Sequence, residues 1–313
     1  MRARSTDEKA TRLVPADLLM KGIHDARLLP DSSFEALWDA IIVDGNLKER
    51  LLSQAIVNFT VRHMLDRASL PLHGVILIVG PPGTGKTSLA RGLASRTASS
   101  LKGSRGFKYL EVDPHALASA ALGKSQQAVK HLLGSVVAEQ ASSAPVIVVL
   151  DEVETLAADR VKLSLEANPV DVHRATDAVL AQLDQLAEAY PELLFIATSN
   201  FPQAVDAAFV SRADLVATVG LPSPEACLAI LTHSLEALAS KFPEIKTLVG
   251  HKLIKQCAQE CVGLDGRRIR KSVLNALAVD KIVALQPAKL TADHVLLAVR
   301  QARKELGLDE VRP

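Results

Sequence analysis

The chain has 313 residues, with 36 lysines and arginines against 35 aspartates and glutamates, a formal net charge of +1. Hydrophobic residues make up 48% and charged residues 23%, so there is ample apolar surface to bury and a long disordered chain is excluded. The near-zero charge disfavours a basic coat for nucleic acid, and the 3% of aromatics leaves a core of Leu, Val, Ile and Ala.

No apolar run approaches the ~18 to 20 residues of a membrane span. The most continuous, 75–79 and 146–150, have the length of buried strands. The N-terminus is charged and lacks the hydrophobic region of a signal peptide. Cys227, Cys257 and Cys261 are too few and too irregular for a disulfide framework or a metal site, and read as buried small hydrophobes. A reducing, cytoplasmic setting is expected.

Residues 1–33, with Pro15 and Pro30, read as a loosely docked arm with a short helix near Leu18. Helix is expected over 34–66, where Leu47, Leu51, Ala55 and Phe59 recur at four-residue spacing. A strand at 75–79 leads through a Gly/Pro loop to a helix from Ser88. Further strands are expected at 108–112, 146–150, 193–198 and 215–219, with helices at 124–140 and 170–189 between them. This alternation predicts an α/β fold with a parallel sheet covered on both faces. Beyond Gly220 the pattern changes to four helices, about 224–240, 248–262, 266–285 and 291–305. The domain reading is an arm at 1–33, an α/β subdomain at 34–220 and an all-helical subdomain at 221–313.

Gly80, Pro81, Pro82, Gly83, Thr84, Gly85, Lys86 and Thr87 match G-x-x-x-x-G-K-[ST], and Ser88 continues into the helix. The loop follows an apolar strand and opens a helix, the context that a phosphate loop requires. Its glycines let backbone amides close on phosphate oxygens. Lys86 would reach the β- and γ-phosphates of ATP, and Thr87 would ligate Mg²⁺. The strand 146–150 ends in Asp151 and Glu152, which delivers two carboxylates to the sheet edge where ligands bind. Asp151 is read as a second Mg²⁺ ligand and Glu152 as the base that polarises the attacking water. Glu154 is read as surface or salt-bridge chemistry.

The strand 193–198 ends in Ser199 and Asn200. Asn200 admits two readings, a water-orienting amide or a turn before Pro202. Arg212, and Arg267, Arg268 and Arg270 at a helix start, are read either as charge stabilisers for a transferring phosphoryl group or as surface ion pairs.

Taken together these motifs resemble the AAA+ ATPases, a P-loop fold with a parallel-sheet core followed by a small all-helical lid. The resemblance implies that Asn200 is sensor 1, that Arg212 is the finger acting on a neighbouring subunit's nucleotide, and that Arg267 is the sensor 2 arginine. It places the adenine near 41–44, with Ile42 and Val43 as contacts. A closer resemblance is to the pachytene-checkpoint remodellers of HORMA-domain proteins. It rests on Phe34-Glu-Ala-Leu-Trp-Asp39, on the phosphate loop, on Ala178-Val-Leu-Ala-Gln-Leu-Asp-Gln185 and on Phe209-Val-Ser-Arg-Ala-Asp214.

That family implies a homohexamer that pulls on a HORMA protein. The short N-terminal region is similar to bacterial members, which implies an indirect link to a cyclic-oligonucleotide synthase that the remodeller keeps off in antiviral signalling. The first pore loop departs from the family. Where an aromatic is expected the chain has Ala121, Leu122 and Gly123, with Leu122 the one bulky apolar grip, and an ordinary loop is the other reading. The rival functions are a general protein-complex disassembly motor, a nucleotide-gated binding protein and a nucleic-acid motor. The last is disfavoured by the neutral charge and the scarce stacking aromatics.

Overall fold

Runs of five apolar residues with no polar alternation become strands buried on both faces, as in parallel sheets. The computed structural model describes residues 22–101, 106–113, 125–157 and 169–308. Its sheet has β1 (Ile23–Leu29), β2 (Val75–Val79), β3 (Phe107–Val112), β4 (Val146–Leu150), β5 (Leu193–Ser199) and β6 (Leu215–Thr218) in the order β1-β3-β4-β5-β2-β6. Every residue of β2, β4 and β5 is buried. All pairs are parallel except β1 with β3. The helices are α1 (Ser32–Ala40), α2 (Leu47–Thr60), α3 (Lys86–Ser100), α4 (Ser125–His131), α5 (Ala138–Ala141), α6 (Pro169–Ala189), α7 (Ala207–Val210), α8 (Pro224–Ala239), α9 (Lys252–Glu260), α10 (Gly266–Ala276), α11 (Lys281–Leu285) and α12 (Ala292–Lys304). None is long and apolar enough to cross a membrane.

Several expectations change in detail. Residues 23–29, expected in a loose arm, form β1, whose register runs from Ile23 opposite Val112 to Leu29 opposite Phe107. Its mixed burial pattern is that of an edge strand, and its partner lies some eighty residues away, beyond the reach of local periodicity. The helix expected over 34–66 is broken between α1 and α2 and ends in a short 3₁₀ turn, Arg62–Met64. The helix expected over 124–140 is π-helical at Leu132–Val137, between α4 and α5. There Gly134 faces α6, where a Cβ would come 2.3 Å from Gln182 Oε1. The lid helix expected over 266–285 is two helices, α10 and α11, with Asp280 capping the second through the amides of Ile282 and Val283. The short helix near Leu18 and the pore loop at Ala121, Leu122 and Gly123 lie outside the described residues.

The chain divides into two compact units. The sheet unit runs to Asp39 and takes in Asn46–Gly80 and Lys86–Thr218; the helical unit holds Ala40–Gly45, Pro81–Gly85 and everything from Val219 onward. Each has its own core. In the sheet unit, β2, β4 and β5 pack with Leu132, Val136, Leu183 and Phe209. Two edge-to-face ring pairs, Phe34–Tyr109 at 4.8 Å and Phe59–Phe107 at 5.0 Å, brace β3.

The entry ends of β2 and β5 are held by buried or half-buried charges. Asp214 accepts the backbone N–H groups of His73, Gly74 and Val75 at 2.9, 2.7 and 3.1 Å. Arg62 donates to the carbonyls of Leu193 and Ala187 at 2.8 and 2.6 Å.

The helical unit is built on α8, α9, α10 and α12 around Leu231, Leu235, Ile254, Val273 and Val299. Ser223 caps α8 ahead of Pro224, and Thr291 forms a capping box with His294 on α12. The three cysteines are free and buried in this core, and burial pushes the Cys227 and Cys257 thiols up to about 11. They behave as small hydrophobes.

In the sheet unit α3 crosses α1 at Gly92, where an added Cβ would lie 2.6 Å from Trp38 Cβ and 2.9 Å from its backbone. Gly92→Ala is therefore expected to destabilise the protein by about 1–3 kcal/mol, measured by urea unfolding followed by circular dichroism.

Candidate active site

The site is assembled where neighbouring parallel strands end. β4, β5 and β2 are adjacent, with Leu150 opposite Ala197 and Val79 opposite Ser199. β5 therefore overshoots β4, and Thr198 lands beside the residues that follow Leu150. The Thr198 hydroxyl donates to Asp151 Oδ1 and accepts from the Glu152 amide at 3.3 Å. From β2, the Gly80 amide donates to the Ser199 carbonyl at 3.2 Å.

Lys86 and Thr87 open α3. Thr87 Oγ1 donates to both carboxylate oxygens of Asp151, at 2.9 and 3.1 Å. Lys86 is 5% exposed, and its Nζ donates to Asn200 Oδ1 at 2.8 Å. Asn200 Nδ2 donates in turn to Glu152 Oε1 at 3.2 Å. One amide thus joins the ammonium of the phosphate loop to the second acid of the strand end. Glu152 sits at φ 51°, ψ 52°, the one non-glycine positive φ among the described residues. A left-handed glutamate at a ligand-binding edge is strain of the kind that functional sites hold.

In the helical unit, Pro81–Gly85 is shaped by its glycines. Gly83 (φ 82°) has no room for a side chain, because a Cβ would lie 2.2 Å from Asp265 Oδ1. Its carbonyl accepts from the Arg267 amide at 3.1 Å. Gly85 (φ 92°) lies against Ile41, which a Cβ would meet at 2.6 Å. Thr84 Oγ1 donates to the Pro81 carbonyl at 2.9 Å. Asp44 accepts from the Ser223 hydroxyl and amide at 2.7 and 3.1 Å, and Ile42 packs on the helical core. Val43, between them, is half-buried. Asp265 caps α10 through the Arg268 amide at 2.9 Å, leaving the Arg267 side chain exposed. Arg270 is occupied on the Ala40 carbonyl.

Arg212 stands apart from the Lys86–Asn200–Glu152 chain. Its Nε and Nη2 grip both oxygens of Asp184 on α6 at 2.8 and 2.7 Å, and Nη1 donates to the Ala208 carbonyl at 2.7 Å. This bidentate pair holds the Asp184 carboxyl below its ordinary range and raises the guanidinium. His73 Nε2 lies 3.8 Å from Asp184, and burial pushes its pKa down.

The arrangement suits phosphate chemistry. The loop cannot accept a side chain at Gly83 or Gly85, one buried ammonium faces the strand ends, and the hydroxyl of Thr87 with the carboxylate of Asp151 makes the hard-oxygen pair that Mg²⁺ takes. Sequence reasoning singled out Lys86, Thr87, Asp151, Glu152 and Asn200, and these are joined here. It gave Thr198, Asp184 and Asp265 no role. Thr198 had a signal, a hydroxyl at the end of an apolar strand, and so had Asp265, an N-cap residue type three positions before Arg268; the partner of Asp184 lies 28 residues away, too distant to pair by inspection.

The model of the ATPase family associated with various cellular activities (AAA) matches residues 76–221. The chain is 61% identical over 286 residues to CD-NTase-associated protein 6 of Pseudomonas aeruginosa, covering 91% of this chain and 94% of that protein. It is 34% identical to the Pachytene checkpoint protein 2 homolog of Oryza sativa subsp. indica, covering 86% of this chain and 65% of the relative. Among solved structures it resembles Caenorhabditis elegans PCH-2, with a TM-score of 0.73 and 28% identity over 90% of this chain and 75% of that one. A chain in the E. coli MS115-1 HORMA:CdnC:Trip13 complex shares the fold, with a TM-score of 0.72 and 16% identity over 90% of this chain and 96% of that one.

Because the Asp184 carboxyl is lowered in the folded chain, the Arg212 pair stabilises fully above 3.8, the ordinary value, and is lost as pH falls through the lowered one. Asp184→Asn should therefore reduce stability at neutral pH, and its gap from the wild type should close below pH 3.8 in acid titrations of urea unfolding. The half-exposed setting keeps the gap small.

Proposed function

The chain belongs to the AAA ATPase family and is an ATPase, and on that premise we propose that it remodels a HORMA-domain protein in bacterial antiviral signalling. It opens or disassembles the closed HORMA state as an ATP-driven homohexamer, and so holds off the cyclic-oligonucleotide synthase that the HORMA protein serves. The observation that carries this reading is the 61% identity along nearly the whole of a CD-NTase-associated protein. The likeness to Pachytene checkpoint protein 2 supports the remodelling activity, and the fold neighbour from a HORMA:CdnC complex supplies the partner class.

In this reading Gly80, Pro81, Pro82, Gly83, Thr84, Gly85, Lys86, Thr87 and Ser88 hold the nucleotide phosphates, and Ile42 and Val43 border the adenine. Thr87 and Asp151 hold Mg²⁺, which when bound neutralises phosphate charge. Glu152 accepts a proton from the attacking water, and Asn200 orients that water from its place between Lys86 and Glu152. The 2.8 and 3.2 Å bonds of Asn200 support this division of labour. Arg267 senses the nucleotide from the lid, and Ala121, Leu122 and Gly123 contact the substrate.

Arg212 acts on the next subunit's nucleotide. Its engagement with Asp184, rather than with the Lys86–Asn200–Glu152 chain, supports a role outside its own site. A head-to-tail contact that closes into a ring supplies the neighbour.

Arg212→Ala and Glu152→Gln should each abolish most ATPase activity alone, with the finger worth about 10³-fold or more. Mixed in equal amounts they should recover part of it, because roughly a quarter of the interfaces in a head-to-tail ring then carry both intact residues. No recovery on mixing overturns the shared site. The Glu152→Gln protein, loaded with ATP, should also retain a HORMA protein in pull-downs from the native source; retention of none overturns the substrate assignment.

A further inference from the structure

Glu154, which the sequence pattern assigns to the surface, lies inside the network. It belongs to the 3₁₀ turn Val153–Thr155 that follows the strained Glu152. Its Oε1 accepts the Asn200 backbone N–H at 3.1 Å, and its Oε2 is buried with no hydrogen-bond partner among the described residues. Asn200 is the first residue beyond β5, whose registered pairing with β2 ends at Ser199. Its amide has therefore left the ladder and needs another acceptor.

A carboxylate makes a stronger bond to that N–H than a neutral oxygen does. The turn is itself tied down, with Thr155 donating to the Glu152 carbonyl from Oγ1 at 2.8 Å and from its amide at 2.9 Å. Phe201, the next residue, is 60% exposed, and on that side the chain is held by single hydrogen bonds rather than by side-chain packing: its N–H donates to Ser199 Oγ at 3.1 Å and its carbonyl accepts from the Ala204 amide at 2.8 Å. Among the described residues the second carboxylate oxygen is desolvated without compensation, a cost that an apolar side chain would not carry.

We propose that Glu154 is a positioning residue: it fixes the Asn200 backbone so that the side-chain amide reaches Lys86 and Glu152 together. The inference rests on Asn200 acting in hydrolysis, as set out above. Glu154 touches no reacting atom in this scheme. Removing its bond lets Asn200 drift, and misplacement of a catalytic group by about 1 Å can cost on the order of 10²-fold in rate.

The test is a double-mutant cycle on the full chain, with steady-state ATPase for kcat and KM and binding of a fluorescent ATP analogue for affinity. Glu154→Ala should lower kcat about tenfold or more while KM and analogue affinity change less than about threefold, since the phosphate loop is untouched. Glu154→Gln, which keeps an acceptor oxygen at the same reach, should restore most of the rate. In an Asn200→Ala background, Glu154→Ala should cost less than about twofold. An undiminished kcat in Glu154→Ala, equal costs in both backgrounds, or a Glu154→Gln as slow as Glu154→Ala overturns the proposal. If Glu154→Ala does not fold, Glu154→Asp, one methylene too short, replaces it in the same cycle with the same expected loss. Wild-type kcat in Asn200→Ala alone overturns the reading of Asn200 instead, and so separates the two failures.

Discussion

The adjacency of three parallel strand ends governs everything chemical in this molecule. Neighbouring strands lie ~4.8 Å apart, so residues just beyond β4, β5 and β2 fall within one or two side-chain lengths of each other. The register does the rest. Leu150 opposite Ala197 sets Thr198 beside Asp151, and with Val79 opposite Ser199 the residue after β5, Asn200, lies within reach of Lys86. Side chains alternate faces along a strand, so a slip of one residue in β5 would turn Thr198 away from Asp151 and break the contact with Lys86. Because these runs are apolar and buried on both faces, a slip would not turn them to water; what opposes it is the close packing of both faces and the polar contacts at the strand ends.

The same sheet is fastened at its other end by charges that take no part in the chemistry. Asp214 collects three amides at the entry to β2, and Arg62 collects carbonyls at the end of α6 and the start of β5. Burial pushes the Arg62 guanidinium down to about 10, a measure of how far it has been taken from water. Gly74 leaves the space it occupies, since a Cβ there would lie 2.1 Å from Arg62 Nη1. Arg212 and Asp214, two residues apart, illustrate the division: one is aimed outward from the sheet through Asp184, the other sews the strand in place.

Much of this was legible in the sequence because the signals were local. Five-residue apolar runs with turn residues on either side define strands, and a glycine loop ending in Lys86 and Thr87 carries its chemistry within eight residues. Asp151 and Glu152 stand out because acids follow directly on Val146-Ile-Val-Val-Leu150. What was hidden depends on distant partners. β1 alternates too weakly to declare itself before Phe107–Val112 is placed beside it. Nothing in Glu154 itself distinguishes an exposed acid from one bonded to an amide 46 residues later. The grouping of Ala40–Gly45 and Pro81–Gly85 with the helices is likewise set by bonds to Ser223, Arg267 and Arg270 that no window of sequence contains.

The packing of Trp38 onto Gly92 has an optical consequence. Trp38 is the sole tryptophan of the chain, it is 8% exposed, and it sits on the flank of the helix that begins at Lys86 and Thr87. Intrinsic emission excited at the indole band therefore originates from one point in the sheet unit, with no contribution from the helical unit. Spectral shifts on adding nucleotide would report strain transmitted along α3 from its first turn, and the protein carries this gauge without any label.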